Sequence, residues 1–318
     1  IVGYIGQNQA MPVLIKGLKK LEYRGYDSSG IAVFSDHLQV VKTKGRLADL
    51  EEKIKTDGSI NGCVGIGHTR WATHGAPDDV NAHPHTSSNG RISVVHNGII
   101  ENYLPLRTEL EKKGYTFVSE TDTEVVAQLF DAYYNGDMVD TMIRVIQKIR
   151  GSYALGVLCQ EKPDEIIAVR KDSPLLVGLG NHENFIASDI PALLEYTKDY
   201  YLLNDNEIVV LKKDCVTILD MEKQEISKEI YHVTWDISTA EKGGYDYFMM
   251  KEIMEQPTAI RATLSPRIVN GEIQLDSIQY TTEDIKNINR IHIVACGSAW
   301  HAGLVGKYVI EDYARIPV

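Results

Sequence analysis

The sequence predicts an α+β fold with largely antiparallel sheets, and three observations carry that prediction. Short apolar strand candidates alternate with amphipathic helices over residues 1–235. Two helices with clear apolar faces lie together near the middle of that stretch. From Ser152 onward the texture is β. Strand runs on both sides of a helical pair imply layers of sheet and helix rather than a βαβ repeat.

Ile1–Ile5 reads as a strand, and Met11, Leu14, Leu18 and Leu21 recur at helical spacing. Ile31–Phe34 and Leu38–Lys42 read as paired strands, and Leu47, Leu50 and Ile54 mark a short helix. Cys63–His68 and Ile92–His96 are apolar strand candidates, the second preceded by an Asn89-Gly90 turn. Thr121-Asp122-Thr123-Glu124 fits a capping box. It opens a helix carrying Val125, Val126, Leu129, Phe130 and Tyr133, and a second helix carries Val139, Met142, Ile143, Ile146 and Ile149. Strands follow at Tyr153–Cys159, Glu165–Val169, Asn184–Ala187, Glu207–Leu211 and Val216–Leu219.

The pattern stops at Asp236–Gly244, where a polar, glycine-bearing stretch predicts a linker. A helix with Phe248, Met249, Ile253 and Met254 follows, broken or bent near Pro257. Arg290–Ala295 reads as a buried strand, Cys296-Gly297-Ser298 as a turn, and Leu304, Val305, Tyr308 and Val309 line a last helix. That ending predicts the beginning of an α/β domain. The start at Ile1 without Met and the end at Pro317-Val318 lead us to expect that both ends are cut.

Composition narrows the function. The 318 residues are 43% hydrophobic and 24% charged, which excludes intrinsic disorder for the bulk of the chain. A net charge of −11 argues against a general nucleic-acid or anionic-membrane binder. No apolar run has the length of a membrane span, and the N-terminal residues lack signal-peptide features. Cys63, Cys159, Cys215 and Cys296 stand far apart, as reduced, buried cysteines in a cytoplasmic protein do.

Chemistry concentrates in segments after strands, where sites are usually built. His68-Thr69-Arg70-Trp71-Ala72-Thr73-His74-Gly75 follows one strand, His96-Asn97-Gly98 another, and Asp122 sits at a helix start. Each has a plainer reading. Arg70 could serve a surface ion pair, Asp122 the helix dipole, Trp71 packing, and Asn97-Gly98 a type I′ hairpin turn. His68, His74, His83, His85 and His96 raise a metal site, but Pro84 separates the H-x-H pair and no third ligand is evident. Satisfied loop histidines are the better reading, with no metal and no cofactor. The Cys296-Gly297-Ser298 turn enters a helix whose N-terminus suits phosphate, though an ordinary strand-to-helix turn looks the same.

Five ordered motifs together are more specific. They are Leu21-Glu22-Tyr23-Arg24-Gly25-Tyr26-Asp27-Ser28-Ser29-Gly30, His68–Gly75, Asn81-Ala82-His83-Pro84-His85, His96-Asn97-Gly98-Ile99-Ile100-Glu101-Asn102 and Ser119–Glu124. In that order they resemble the glutamine–fructose-6-phosphate aminotransferase (glucosamine-6-phosphate synthase) family. Met250–Pro257 and Ala295–Gly303 resemble the start of that family's sugar-isomerase half.

The resemblance implies an N-terminal-nucleophile hydrolase αββα sandwich over 1–236, a linker over 237–246, and the start of an α/β sugar-isomerase domain over 247–318. It implies a cytoplasmic homodimer that takes ammonia from L-glutamine and aminates fructose 6-phosphate to glucosamine 6-phosphate, the first step of hexosamine synthesis. By the same resemblance, Arg70 receives the glutamine α-carboxylate and Asp122 its ammonium, while Asn97 and Gly98 form the oxyanion hole. Trp71, Thr73 and His74 lie in a loop closing over glutamine, Arg24 lies near the terminus, and Cys296, Gly297 and Ser298 meet the sugar phosphate.

There are two departures. The family's nucleophile is a Cys in a Cys-Gly pair ahead of Ile-Val-Gly, whereas this sequence starts at Ile1. Cys63, expected mid-strand, cannot replace a thiol that shares its residue with the chain's own amine, so the chain as given is expected to be inactive. Ala299 stands where the family usually has a hydroxyl residue. Two alternatives stay open: another N-terminal-nucleophile amidotransferase, or a sugar-phosphate-binding protein with a dead glutaminase domain.

Overall fold

The computed structural model describes residues 1–58, 60–234, 244–274 and 280–318. Two compact units emerge, Ile1–Glu241 and Lys242–Val318. Of the expected linker 237–246, residues 237–243 lie outside the described residues.

The first unit runs β1 (Val2–Ile5), α1 (Ala10–Leu21), β2 (Ser28–Phe34), β3 (Leu38–Lys44), α2 (Leu47–Asp57), β4 (Val64–Arg70), β5 (His85–Thr86), β6 (Ile92–Ile100) and α3 (Tyr103–Lys112). It continues with α4 (Glu124–Tyr133), α5 (Met138–Lys148), β7 (Gly151–Cys159), β8 (Lys162–Lys171), β9 (Leu176–Leu179) and β10 (Asn184–Ala187). The last strands are β11 (Asp199–Leu202), β12 (Ile208–Leu211), β13 (Val216–Leu219) and β14 (Tyr231–His232). They form an eight-stranded sheet ordered β14-β11-β9-β10-β1-β4-β2-β3 and a six-stranded sheet ordered β13-β12-β8-β7-β6-β5. The paired strands run antiparallel, as the alternating sequence texture predicts.

Side-chain alternation divides the core into three apolar layers. On β1, Val2 and Tyr4 face α1 and α2 on the outer side of the eight-stranded sheet. Ile1, Ile5, Ile66, Val95, Ala154 and Ile186 fill the space between the sheets. Val94, Leu155 and Val157 face α3, α4 and α5 on the outer side of the six-stranded sheet. Period-two side chains on each strand supply two buried faces, so each sheet needs a partner on both sides. The order is therefore helix, sheet, sheet, helix: an αββα sandwich.

Several local expectations are corrected. β4 and β6 continue through His68-Thr69-Arg70 and Asn97-Gly98, so those residues stand in strands and not in the loops after them. Asn97 and Gly98 pair with Ala154 and Tyr153 of β7, which rules out a hairpin turn there. Cys63 precedes β4. The capping box at Thr121 is absent. Thr123 is the N-cap and makes no side-chain cap, because the Glu124 carboxylate accepts instead from the Val118 and Ser119 amides, at 2.9 and 2.7 Å. Of the four cysteines only Cys159 is buried; Cys63 is half-buried and Cys215 and Cys296 are exposed.

The second unit comprises α6 (Phe248–Leu264), the β15 (Ile268–Val269) and β16 (Glu272–Ile273) hairpin, α7 (Thr282–Lys286) and α8 (Gly297–Tyr313). α6 runs through Pro257 without ending. Arg290–Ala295 is not a strand and not buried: Val294 is 97% exposed. A strand forms only against a neighbour, and here Ile291 N–H donates to the Pro317 carbonyl, at 3.0 Å, with no strand alongside among the described residues. Cys296-Gly297-Ser298 does begin a helix, with Gly297 at φ +61°. Among the described residues no helix is long and apolar enough to cross a membrane.

Candidate active site

A cavity of about 280 Å³ opens in the first unit, where the ends of β4 and β6 meet across the two sheets. Ile1, Arg24, Arg70, Trp71, Thr73, Asn97, Gly98 and Asp122 all line it, although they span more than a third of the sequence. His74 is not in the wall. It stands just behind, its Nδ1 at 4.0 Å from Asp122 Oδ1 and its ring edge-on to Tyr103. Cys296, Gly297 and Ser298 belong to the second unit.

Register fixes the wall. β4 pairs with β2 so that Arg70 faces Ser28 and His68 faces Gly30. Arg70 is 4% exposed, and its guanidinium donates to the carbonyls of His74, Gly75 and Ala76. Neither plainer reading, surface residue or ion pair, describes it. The arginine curls the 71–76 loop over the cavity mouth. Trp71 stands on that loop, 62% exposed and edge-on to Tyr26. Asp122 is buried too, and its Oδ2 accepts from the Ile100 amide at 2.7 Å. The carboxylate is thereby fixed at the end of β6, two residues ahead of α4.

The centre of the cavity is a chain of polar contacts. His68 Nε2 lies 2.9 Å from Asn97 Oδ1, which links the two sheets. Asn97 Nδ2 donates to Ser188 Oγ at 2.8 Å, and the Ile1 amine donates to the same oxygen at 2.8 Å. Burial, with Arg24 adding to it, pushes that amine down to about 5. Arg24 pairs with Asp189 at 3.0 Å. Gly98 has φ +122°, and a Cβ there would run into the Ser152 carbonyl. Glycine is required at that point of the strand.

Sequence reasoning missed Ser188 and the histidine wall. Ser188-Asp189 follows β10 in the same way that polar pairs follow other strands, and that was the available signal. Of the histidines expected in loops, His74 and His83 do lie in loops, while His68, His85 and His96 stand in strands, and all but His74 are buried. His68 and His83 stack at 4.2 Å, His83 meets His85 edge-on at 4.7 Å, and His96 Nδ1 contacts Thr123 Oγ1 at 2.8 Å. Burial drives His68, His83 and His85 well below the usual histidine range, and lowers His96 against the pull of Asp122. His68, His83 and His85 thus form a wall of neutral rings in contact, with His96 buried beside it. Among the described residues, no three His, Cys, Asp or Glu side chains converge as metal ligands.

A buried guanidinium, a fixed carboxylate and an amide donor around one small cavity suit a zwitterionic amide. A family model described as a glutamine amidotransferase domain matches residues 68–195, which hold most of this wall. The chain carries a glutamine amidotransferase domain. Over its whole length it is 60% identical to the glutamine–fructose-6-phosphate aminotransferase (isomerizing) of Clostridium tetani. It is 58% identical to the protein of that name from Caldanaerobacter subterraneus and 48% to that from Thermus thermophilus. In each case the chain covers 52% of the relative, so it spans about half the length of the curated relatives it matches. Among solved structures, the amidotransferase domain shares its fold with glutamine phosphoribosylpyrophosphate amidotransferase from B. subtilis, at TM-score 0.61 and 23% identity, covering 70% of this chain and 49% of that one. An allosteric regulatory enzyme of purine biosynthesis matches at TM-score 0.61 and 24% identity, over 69% of this chain and 48% of that one. The sandwich is thus a fold shared with these two solved enzymes.

Proposed function

We propose that the first unit is the glutaminase of a glutamine–fructose-6-phosphate aminotransferase, acting through a cysteine that precedes Ile1 in a Cys-Gly pair. The observation that carries this reading is the convergence of Arg70, Asp122, Asn97 and Ile1 on one cavity. Among the described residues no cysteine lines that cavity. On this reading the thiol comes from the Cys of that pair.

Arg70 receives the α-carboxylate of L-glutamine and Asp122 its ammonium, as charge-assisted hydrogen bonds favour. The cysteine's own amine takes the thiol proton, and the thiolate attacks the side-chain amide carbon. The oxyanion is met by Asn97 Nδ2–H and the Gly98 amide. Collapse expels ammonia, which carries the proton held by the amine, and leaves a thioester. Water hydrolyses the thioester to glutamate and frees the thiol. Trp71, Thr73 and His74 hold the loop over the substrate, and Arg24 braces the terminus through Asp189.

Residues 1–236 are the glutaminase, 237–246 the linker and 247–318 the start of the sugar-isomerase part, where Cys296, Gly297 and Ser298 meet the sugar phosphate. The whole enzyme, a cytoplasmic homodimer, passes ammonia to fructose 6-phosphate and forms glucosamine 6-phosphate. Whole-length identity to the relatives supports that reading.

The test is to make the chain with Cys-Gly ahead of Ile1 and an exposed cysteine amine, then assay glutamate from glutamine. Glutamate release that vanishes when the added Cys is replaced by Ala is the expected result. A folded, extended chain that releases none overturns the proposal.

A further inference from the structure

Both polar atoms of the Asn97 amide are held, and the two holders have opposite demands. Oδ1 faces His68 Nε2 at 2.9 Å, while Nδ2 donates to Ser188 Oγ at 2.8 Å. A neutral imidazole carries one N–H, on one of two nitrogens. With the proton on Nε2, the ring donates to Oδ1 and leaves the NH₂ group turned to Ser188 and the cavity. With the proton on Nδ1, the Nε2 lone pair confronts Oδ1. The amide then relieves the clash only by turning over, which aims a carbonyl oxygen at the place where negative charge would develop.

The surroundings select between the tautomers. His68 Nδ1 is buried and has no partner among the described residues. A proton there would be a buried donor with no acceptor, beside an opposed pair of acceptors. The Nε2–H form leaves one unpaired lone pair instead, and unmade buried donors are the costlier error. A flip of the ring would put Cε1 in place of Nε2 and lose the Asn97 contact, and His83, stacked on it at 4.2 Å and 17°, opposes that flip. His83 is in turn held edge-on by His85, whose Nε2 meets Thr121 Oγ1 at 3.0 Å.

We propose that His68, held as the Nε2–H tautomer by the stacked histidine wall, is a positioning residue that sets the direction of the Asn97 amide. It thereby fixes the polarity of the oxyanion donor. The role rests on the glutaminase reading above. Burial keeps the imidazole neutral, well below the usual histidine range, so the wall brings no positive charge of its own beside the donor.

Two measurements test this. Imidazole ¹⁵N spectra of the 318-residue chain should give His68 the Nε2–H pattern at pH 7; an Nδ1–H or imidazolium pattern overturns the proposal. In the chain extended by Cys-Gly, His68→Leu should lower kcat about 10- to 100-fold with KM nearly unchanged, within the roughly 10²–10³ lost with an oxyanion donor itself. The double variant with Asn97→Ala should be no slower than Asn97→Ala alone. An unchanged kcat, a loss confined to KM, or fully multiplicative losses overturns it. His68→Gln places an N–H where Nε2 stood and should restore turnover, whereas His68→Asn places it nearer Nδ1 and should not. Equal rates for those two overturn the proposal even if the leucine variant fails to fold. If the extended parent releases no glutamate, the glutaminase reading fails, and the ¹⁵N pattern still decides the tautomer.

Discussion

Acid should unfold the first unit well above the carboxylate range, and the histidine wall sets the amount. His68, His83 and His85 are buried beside one another, with Arg70 and Lys42 adding positive charge nearby, so the folded state holds them neutral. The unfolded chain protonates them near pH 6.5. Below that value the unfolded state binds more protons, so stability falls as pH falls, by about 1.4 kcal/mol per pH unit for each histidine. Three rings remove about 4 kcal/mol between pH 7.5 and 5.5. The Ile1 amine, which titrates at about 5 when folded and near 8 when unfolded, removes about 2 kcal/mol more with the same sign. The carboxylates held low by partners, such as Asp79 and Asp137, keep their contribution until pH falls further. A total of about 6 kcal/mol is comparable with the whole stability of an ordinary domain. For a urea slope of about 3 kcal/mol per M it moves the midpoint by about 2 M. Urea titrations followed by circular dichroism at the two pH values measure it. His83→Phe keeps a flat ring, removes one titrating group and should lessen the pH slope by about one third of the histidine part. A midpoint equal at both pH values would show that the rings charge within the fold, and the neutral wall would be refuted.

Further outcomes follow from single contacts. Arg70→Lys should weaken glutamine binding at least tenfold in the Cys-Gly-extended chain, because an ammonium cannot make the fork geometry or hold three loop carbonyls at once; calorimetry with glutamine checks it. Gly98→Ala should cost roughly 1–3 kcal/mol of stability for the positive φ, and more for the Ser152 carbonyl, read as a shift in thermal midpoint. Gly156→Ala places a Cβ 3.0 Å from Ile186 Cδ1 and 3.2 Å from Val95 Cγ2 and should destabilise by about 1–3 kcal/mol. Adding Ile186→Val removes the crowded methyl and should recover part of that loss, and strictly additive losses in urea titrations would contradict the contact.

The layers were legible because alternation is a local signal. Val94 and Val95 face opposite layers, and such pairs place a strand between two cores. Long-range pairing was not legible. β4 and β6 extend past the apolar residues that mark them, because β2 and β7 continue alongside and supply hydrogen bonds to His68–Arg70 and Asn97–Ile100. Propensity alone reads those polar residues as loop. The capping box failed for a related reason: Glu124 found better donors in the preceding loop than at Thr121. Site residues such as Arg70, Asn97 and Asp122 were found through ordered motifs. Ser188 was not, since a polar pair after a strand is a weak signal until Ile1 and Asn97 meet on the serine oxygen.

The site's position follows from how two sheets can join. A polar group between two sheets loses its water and needs a partner of the same kind. Along most of the interface the answer is to have none: Ile5, Ile66, Val95, Ala154 and Ile186 fill the layer. Ile186 fits there because its neighbours are glycines, Gly3 beside it in one sheet and Gly156 across from it in the other. At the open end, where β4 reaches His68 and β6 reaches Asn97, a polar side-chain pair crosses from sheet to sheet. At that end water and a small substrate can enter, so donors left over by the crossing pair are usable and not merely costly. The apolar layer holds the two strand ends at a fixed spacing, and that spacing keeps the 2.9 Å contact between His68 and Asn97. Rigidity is therefore needed most in the part of the core that touches no substrate, and a methyl group misplaced between the sheets reaches the oxyanion donor through the strands themselves.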